Sequence, residues 1–408
     1  MLSMPSVPSM INGRAGPGIV QKVRAQRMAH PSDASVSATL RAVGLGSDVV
    51  MAVEPMLDGL SGAELARVRL CAPAGAWPGA PCVISSRVVK RSVAETGWLG
   101  AATHDTRLRE AALWRAGLPQ WLPRRIALAV ERVACSAASE RPVSATLLMR
   151  DERAHLLRQP YVAPLGRQPS DLLALLDALA ALHARFWQAA LLDDAALGLA
   201  SPRDTLLWLS PAVVAERITA GDTQPYLRLA LAGWEAFFRL IPPEDAATLR
   251  AVFAQPEAAL AAIERLPRTL IHGDIWGPNL GWLPPTRQSP RTGHRLLLLD
   301  WALAAAAPAP YDLLSLCGAW HTLRPTPLLA IYRARLTRRL AARGASLTAQ
   351  RWQGLADAAY LRTTLTGGEA WARAVEAAPS APARQRALAR LRWWARRGAQ
   401  AARRLTGV

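Results

Sequence analysis

Two short segments of the sequence place acidic and amide side chains directly after apolar residues. The first is HGDIWGPN, in which Asp274 precedes Asn279, and the second is LLLLD, which ends at Asp300. Asp and Asn at such positions can cap or turn the backbone. Their oxygen atoms can also hold a hard cation such as Mg²⁺. These two segments alone leave both interpretations open, so the rest of the chain has to distinguish them.

Phosphoryl transfer is one reaction that would use such groups together. It needs a carboxylate that accepts the proton of the attacking hydroxyl, oxygen ligands for Mg²⁺, and a cation on the phosphates. Asp274 follows the apolar segment TLIH, and the Gly-Pro turn after it can fold Asn279 back beside it. Asp300 ends the run Leu296–Leu299, which is typical of a buried strand. A buried strand would hold its terminal carboxylate firmly, as a metal ligand requires.

HGDIWGPN followed by LLLLDWALAAAAPAPYDLLSL resembles the pattern of the aminoglycoside phosphotransferase and choline-kinase-like families. Their pattern is H-G-D-x-x-x-x-N, then an Asp at a strand end, then a further Asp. The resemblance implies that Asp274 is the catalytic base, that Asn279 and Asp300 bind Mg²⁺, and that ATP is the phosphoryl donor. It also implies that His272 and Asp312 support the loop.

The same resemblance implies a strand Lys that contacts the phosphates and pairs with a helix Glu. Lys90, at the end of SSRVVK, is one of only two lysines in the chain, and Glu110 lies in the following helical segment. A compact ammonium and a branched guanidinium do not fill the same space, which is a reason for Lys at this position. The alternatives are an exposed Lys90 and a solvated Glu110 that pairs with a nearby Arg.

Two further segments are implied to contact the nucleotide. In LDGLSGAEL, Gly59 and Gly62 would allow close backbone approach to phosphate, and Ser61 would offer a hydroxyl and an N–H. A plain hairpin turn is the alternative for this segment. In LLMRDE, Met149 and Asp151 would bracket the edge of the adenine.

The distribution of hydrophobic patterns predicts the elements that position these residues. Five strand-like runs fall between residues 49 and 149: VVMAVEPM, AELARVRL, CVISSRVVK, RIALAVERV and ATLLM. Helical patterns dominate after them. We therefore predict an α+β, protein-kinase-like bilobal fold with a small antiparallel β-sheet N-lobe and a larger, mainly helical C-lobe. The predicted divisions are a flexible N-terminal extension (1–30), a nucleotide-binding N-lobe (31–150) and a C-lobe with the catalytic loop and acceptor site (151–408).

Composition and charge exclude several classes of protein. Of 408 residues, 51% are hydrophobic and 19% are charged, which indicates a globular chain. No apolar run reaches the roughly 18–20 residues of a membrane span, and the first residues lack a signal-peptide pattern. The four cysteines show no C-x-x-C pair, which argues against a zinc knuckle or a disulfide framework and favours a cytoplasmic location.

The net charge of +19 comes almost entirely from arginine, since 47 of the 49 basic residues are Arg. Arginines spread along the chain favour a solvated surface over a nucleic-acid site. The densest segment, residues 383–405, predicts an amphipathic helix that docks Leu388, Leu391 and Trp394 on the core with its arginines outward. Contact with a membrane surface or a nucleic acid is the alternative.

The sequence therefore favours an ATP-dependent kinase of a small-molecule hydroxyl. A catalytically inactive kinase-fold nucleotide-binding or regulatory protein is the first alternative, and a metal-dependent hydrolase that uses His272 and Asp274 is the second. A serine hydrolase built on GLSGA fails, because the second Gly of G-x-S-x-G is Ala63.

The acceptor itself stays open at this stage, as do the oligomeric state and the choice between ATP and GTP. Residues 190–265 and 311–380 are predicted to build the site that binds the acceptor. The carboxylates there alternate with Arg, which argues against a polycationic aminoglycoside. Four ring-bearing side chains could line an aromatic pocket or pack in the core: Trp320, His321, Tyr360 and Trp371.

Overall fold

The computed structural model describes residues 40–45, 50–56, 62–73, 82–94, 97–136, 143–157, 169–285, 294–320 and 322–407. The predicted extension 1–30, Gly59, Ser61 and His321 lie outside these residues. The strands are β1 Val50–Met56, β2 Glu64–Pro73, β3 Cys82–Val93, β4 Ile126–Ala127, β5 Val130–Cys135, β6 Ser144–Arg150, β7 Thr269–Ile271, β8 Leu280–Leu283, β9 Arg295–Leu298 and β10 Ala305–Ala307. The helices are α1 Trp98–Ala102, α2 Arg109–Ala116, α3 Leu118–Trp121, α4 Pro169–Arg185, α5 Pro202–Leu207, α6 Pro211–Thr219, α7 Pro225–Leu240, α8 Pro243–Ala254, α9 Glu257–Glu264, α10 Pro310–Ala319, α11 Pro325–Ala341, α12 Ala349–Glu376 and α13 Ala381–Thr406.

An antiparallel sheet with strand order β1-β2-β3-β6-β5 forms the N-terminal part of the described chain. Successive side chains of a strand point to opposite faces, and each face of this sheet has its own apolar partner. Val68, Val89 and Leu148 pack with Leu40 and Val43 on one face. Helix α2 covers the other face and packs against Ala145 and Leu147. Lys90, which pairs with Leu147 in the register of β3 and β6, therefore lies on the face that α2 covers.

The segment RIALAVERV forms two strands in two different sheets, although its pattern predicted a single strand. Ile126–Ala127 pairs in parallel with Leu296–Leu297 of β9, whereas Val130–Cys135 pairs with β6 of the five-stranded sheet. The register of the second pair shifts between Val130 and Arg132. Apolar periodicity reports which residues are buried but not which sheet buries them, so this division could not be read from the sequence.

Helices make up most of the chain after residue 169 and enclose the largest apolar core. Helix α12 packs against α13, α7 and α10. At Gly398 of α13, a Cβ atom would lie 2.4 Å from the hydroxyl oxygen of Thr364 on α12, so a larger residue there would force the two helices apart. The small sheets β10-β7 and β4-β9-β8 lie among these helices. The predicted fold class is confirmed: a small antiparallel sheet is followed by a larger, mainly helical part.

Helix α13 docks as its pattern predicted. Leu391 and Trp394 are buried and Leu388 packs against the core, whereas Arg384 and Arg396 are exposed. Within the part of the chain that the structure describes, no helix combines the length and the apolar character needed to cross a membrane. The spacing of the cysteines argued against a disulfide framework, but the structure contains a disulfide-bonded cysteine. Cys71 on β2 is disulfide-bonded, while Cys135 and Cys317 are free.

Candidate active site

Three side chains that are distant in sequence form one buried ion cluster. Lys90 Nζ lies 2.7 Å from Glu110 Oε2 and 2.9 Å from Asp300 Oδ1, a residue 210 positions further along the chain. Lys90 has only 6% of its surface exposed. The cluster thus joins strand β3, helix α2 and the turn after strand β9. The resemblance implied the Lys90–Glu110 pair, whereas the contact between Lys90 and Asp300 was not predicted.

Within this cluster, Lys90 and Asp300 each favour the ionised form of the other. Burial by itself would lower the pKa of Lys90, but the carboxylates of Asp300 and Glu110 raise it above its ordinary value. Burial favours the neutral form of Asp300, yet the Lys90 ammonium holds the pKa of Asp300 below its usual range. Lys90 is therefore a cation and Asp300 an anion at neutral pH.

Asp274 and Asn279 face each other across a short turn. The 3₁₀ turn Gly277–Asn279 folds the chain back, and Asn279 Nδ2 donates to Asp274 Oδ2 at 2.7 Å and to the Asp274 carbonyl at 3.2 Å. Burial and the negative charge of Asp300 raise the pKa of Asp274 to about 7. A carboxylate with a pKa near the working pH is suited to accepting a proton.

His272 and Asp312 hold this loop through the backbone. Asp312 accepts the N–H of His272 at 2.9 Å and that of Gly273 at 2.8 Å. His272 Nε2 donates to the carbonyl of Leu299 at 2.8 Å, and Nδ1 accepts the N–H of Asp274 at 3.3 Å. Burial lowers the pKa of His272, so the ring is neutral. Because both ring nitrogens are engaged, His272 cannot serve as the metal ligand that the hydrolase hypothesis requires.

The residue between His272 and Asp274 has to be glycine. Gly273 has a φ of 85°, and a Cβ atom there would lie 2.0 Å from the carbonyl oxygen of Leu303. Any other residue would be strained in this conformation and would also collide with the backbone. The Gly of HGD is thus explained by the close approach of the segment that follows Asp300.

The backbone around the ion cluster is strained at two points. Asp300 has a φ of 61° and Leu108 has a φ of 55°, a left-handed conformation that is uncommon for residues other than glycine and tends to occur at functional sites. Arg109, between Leu108 and Glu110, is buried and donates to the carbonyls of Gly198 (2.6 Å) and Ala302. Helix α2 is therefore tied directly to the turn that follows Asp300.

Two of the remaining predicted nucleotide residues line a large cavity. Met149 and Asp151 line it, and Asp151 Oδ2 accepts hydrogen bonds from Ser86 Oγ (2.7 Å) and Arg67 Nε (3.1 Å). Gly62 has a φ of 85°, as a tight turn before β2 requires, and its neighbour Ala63 lines the cavity. The structure gives no position for Gly59 or Ser61.

The cavity itself extends between the five-stranded sheet and the helices and has a volume of about 1380 Å³. Cavities that hold one ligand usually measure about 300–1000 Å³, so this one has room for a nucleotide and a second molecule. We call its charged base the cavity floor, which comprises Lys90, Glu110, Asp274, Asn279 and Asp300.

The opposite side of the cavity contains residues that the sequence analysis missed. We call this side the α12–α13 wall, and its charged side chains are Arg362, Glu369, Arg373, Arg386 and Arg390. In a chain with 47 arginines, nothing in the sequence separates these from arginines on the outer surface.

Arg362 is buried and connects the wall to the floor. It donates to the carbonyl of Gly273 at 2.6 Å and to Ser315 Oγ, and its guanidinium lies over the ring of Tyr311. Its positive charge opposes the effect of burial on the pKa of Asp274. Arg362, which lies 89 positions later in the chain, thus fixes the residue next to Asp274.

The predicted acceptor segments contribute only in part. Asp193 pairs with Arg268, and Asp245 with Arg403, and none of these four residues lines the cavity. The rings of Trp320 and Tyr360 are packed in the core, whereas Trp371 lines the cavity. Helix α13 also lines it, although the prediction stopped at residue 380.

The floor offers oxygen atoms that suit Mg²⁺. Asn279 uses Nδ2 in its hydrogen bonds, and Asp300 binds Lys90 through Oδ1. Asn279 Oδ1 and Asp300 Oδ2 remain for a hard cation that also takes phosphate and water oxygens. Among the described residues, no group of three or more His, Cys, Asp and Glu side chains is placed to hold a metal ion.

Comparisons with known proteins found similar solved structures but no matching family model and no matching curated protein. An ethanolamine kinase from Plasmodium vivax aligns over 95% of this chain and 95% of its own, with 10% identity and a TM-score of 0.45. A choline/ethanolamine kinase family protein from Mesorhizobium loti aligns over 91% and 99%, with 14% identity and a TM-score of 0.42. An aminoglycoside-3'-phosphotransferase of type VIII aligns over 78% and 93%, with 19% identity and a TM-score of 0.34.

Proposed function

We propose that this protein is an ATP-dependent phosphotransferase that moves the γ-phosphoryl group of ATP to a hydroxyl of a small molecule. The observation that supports this most strongly is the cavity floor. A lysine, a helix glutamate, two aspartates and an asparagine from four separate segments meet at the base of one cavity. These are the group types that phosphoryl transfer requires.

Asp274 acts as the base in this proposal. Its pKa of about 7 leaves a substantial ionised fraction at neutral pH while keeping its affinity for a proton high. Asn279 orients the carboxylate by donating to Oδ2. The other carboxylate oxygen is then directed to the acceptor hydroxyl, whose proton moves to Asp274 as the oxygen attacks phosphorus.

Lys90 binds the phosphates of ATP, and Glu110 fixes its ammonium group in position. Asn279 and Asp300 would hold Mg²⁺, which supplies charge neutralisation of the phosphate oxygens. Lys90 is also paired with Asp300 across the two parts of the molecule, so two carboxylates of the floor fix the position of its ammonium group.

The position of the nucleotide base follows from the floor. We propose that the adenine lies at Met149 and Asp151, and that the turn containing Gly59, Ser61 and Gly62 covers the phosphates. Residues 31–150 would then bind the nucleotide, and residues 151–408 would supply catalysis and the acceptor site. A cytoplasmic location remains a prediction from the sequence.

Single-turnover release of ADP from ATP, measured with a mixture of hydroxylated metabolites as acceptors, separates this proposal from a binding protein without catalysis. Asp274→Asn should slow release by about 10²–10⁴-fold, the usual contribution of a general base, while the affinity for ATP changes by less than about 3-fold. Asp222→Asn is a matched control, since Asp222 pairs with Arg217 and does not line the cavity. Wild-type protein that binds ATP without turning it over would support the binding protein, and a lack of ATP binding would refute both.

A further inference from the structure

The charges on the α12–α13 wall are unequal. The described charged residues of this wall are four arginines and a single glutamate, Glu369. A cavity wall of this composition attracts negative groups and repels positive ones. A charge on this wall is available to a ligand only if no neighbouring side chain of the protein already neutralises it.

Glu369 is fully engaged by two neighbours. Its Oε1 accepts from the hydroxyl of Tyr226 at 2.9 Å, and both of its oxygens accept from Arg373, at 2.7 and 3.2 Å. Glu369 is buried, with 1% of its surface exposed. The one carboxylate among the described residues of the wall therefore neutralises Arg373 and is not available to an ammonium group of a ligand.

Arg386 and Arg390 have no such partner. Neither forms an ion pair with a carboxylate within 4 Å in the described part of the chain. They are four residues apart on α13, which places them on the same helix face, and both line the cavity. Arg390 Nη2 donates to the carbonyls of Cys317 (2.7 Å) and Gly318 (2.9 Å) at the end of α10. Those carbonyls fix the guanidinium but do not cancel its charge.

Burial makes the charge of Arg390 costly. It lowers the pKa of Arg390 to about 10, and no carboxylate of the described residues lies within 4 Å to neutralise the guanidinium. A negatively charged ligand in the cavity would offset this cost.

We infer that the hydroxyl acceptor carries an oxyanion, either a carboxylate or a phosphate, which Arg386 and Arg390 bind on the α12–α13 wall. This inference rests on the proposed phosphotransferase function and specifies the class of its second substrate. Arginine binds both oxyanions through paired N–H donors. The hydroxyl of the acceptor then points toward Asp274, and the oxyanion lies at the opposite end of the same cavity.

Binding of four sugars of similar size tests the charge of the acceptor. Isothermal titration calorimetry in the presence of MgADP would compare glucose, glucosamine, gluconate and glucose 6-phosphate. Gluconate or glucose 6-phosphate should bind about 10- to 100-fold more tightly than glucose and glucosamine, which is the contribution expected of hydrogen bonds to a charged group. The stronger of the two anions identifies the source as carboxylate or phosphate. Equal affinities, a preference for glucosamine, or no binding of either anion would overturn the inference.

Two double variants test whether the preference for anionic sugars depends on Arg386 and Arg390. Arg386→Gln with Arg390→Gln should remove the advantage of the anionic sugars. Arg384→Gln with Arg396→Gln removes two charges from exposed positions of the same helix outside the cavity and should retain the advantage. Arg386→Gln alone provides a variant with no folding risk, because Arg386 is exposed and forms no ion pair in the described chain, and it should lose part of the advantage. If both pairs lose the preference equally, general charge and not this wall is responsible.

The same titrations separate failure of the inference from failure of the proposed function. Binding of MgADP without sugar is measured first. If MgADP does not bind, the phosphotransferase proposal itself is wrong. If MgADP binds and the sugars show no preference for a negative charge, only the assignment of the acceptor is wrong.

Discussion

The cavity floor and the α12–α13 wall hold their charges in different ways. On the floor, Lys90 is bonded to two carboxylates, one from a helix and one from a strand end. On the wall, Arg386 and Arg390 lack a carboxylate partner within the described chain, and Arg386 is exposed. A charge removed from water needs a partner, whereas a charge in contact with water does not.

This difference indicates that the cavity floor and the α12–α13 wall have different roles. The buried floor tolerates little change, because each charge depends on the others for its ionisation and its position. Arg386 and Arg390 of the wall form no ion pair with a described carboxylate, and Arg386 is exposed, so substitution of these two side chains should cost less stability than substitution on the floor. We expect the floor to determine the reaction and the wall to determine the substrate.

Replacement of Lys90 should have the largest effect and tests the floor directly. Lys90→Met should reduce single-turnover ADP release by about 10²–10³-fold, because a preorganised cation on the phosphates is lost. It should also destabilise the protein by about 3–5 kcal/mol in urea unfolding, because Glu110 is left as a buried, unpaired carboxylate.

The double variant Lys90→Met with Glu110→Met separates these two effects. Stability should return in part, since an apolar pair replaces the Lys90–Glu110 ion pair while Asp300 still lacks its ammonium partner, but turnover should stay low. Restored turnover in the double variant would show that Lys90 has no role on the phosphates and that the floor serves stability alone.

Arg362 joins the two regions, and its replacement should have an intermediate effect. Arg362→Lys keeps the charge but cannot bond Gly273, Ser315 and Thr205 together. We expect turnover to fall by about 10- to 100-fold through displacement of Asp274. Arg404→Lys is the matched control, since Arg404 bonds both oxygens of Asp357 outside the cavity. Equal losses in the two variants would mean that Arg362 acts on stability and not on the position of the base.

The dependence of stability on pH should give the smallest effect. The pKa of Asp274 rises from 3.8 to about 7 on folding, so the folded state binds its proton more tightly than the unfolded state. The stabilisation this provides is complete below about pH 4 and is lost as the pH rises through about 7.

Asp274→Asn removes this dependence. In EDTA, the variant should gain stability relative to wild type between pH 5 and pH 8, by on the order of 1–3 kcal/mol. Urea unfolding at the two pH values measures the change, and Asp222→Asn should show none of it. A constant difference between wild type and Asp274→Asn would mean that Asp274 is an ordinary, solvated carboxylate.

Several features of the floor could be predicted from the sequence because local spacing encodes them. The turn between Asp274 and Asn279 is only five residues long, so Gly and Pro within it suffice to return the amide to the carboxylate. The apolar runs before Lys90 and Asp300 identified buried strands. The sequence showed a glycine at position 273, but only the structure explained it, because the backbone of Leu303 leaves no space for a Cβ atom there.

The sequence by itself indicated a strand-rich part followed by a helical part, and the turn that returns Asn279 to Asp274, since these follow from apolar periodicity and short-range turns. Lys90 and Glu110 were assigned to the floor by the resemblance to a known family. Only the tertiary structure decided that RIALAVERV divides between two sheets, that Arg109 binds the turn after Asp300, and that Arg362, Arg386 and Arg390 face the cavity. The physical reason is that a helix pattern states which face is apolar but not what lies opposite its polar face. The groups that lie opposite the polar face determine whether an arginine there contacts water, a backbone carbonyl or a ligand.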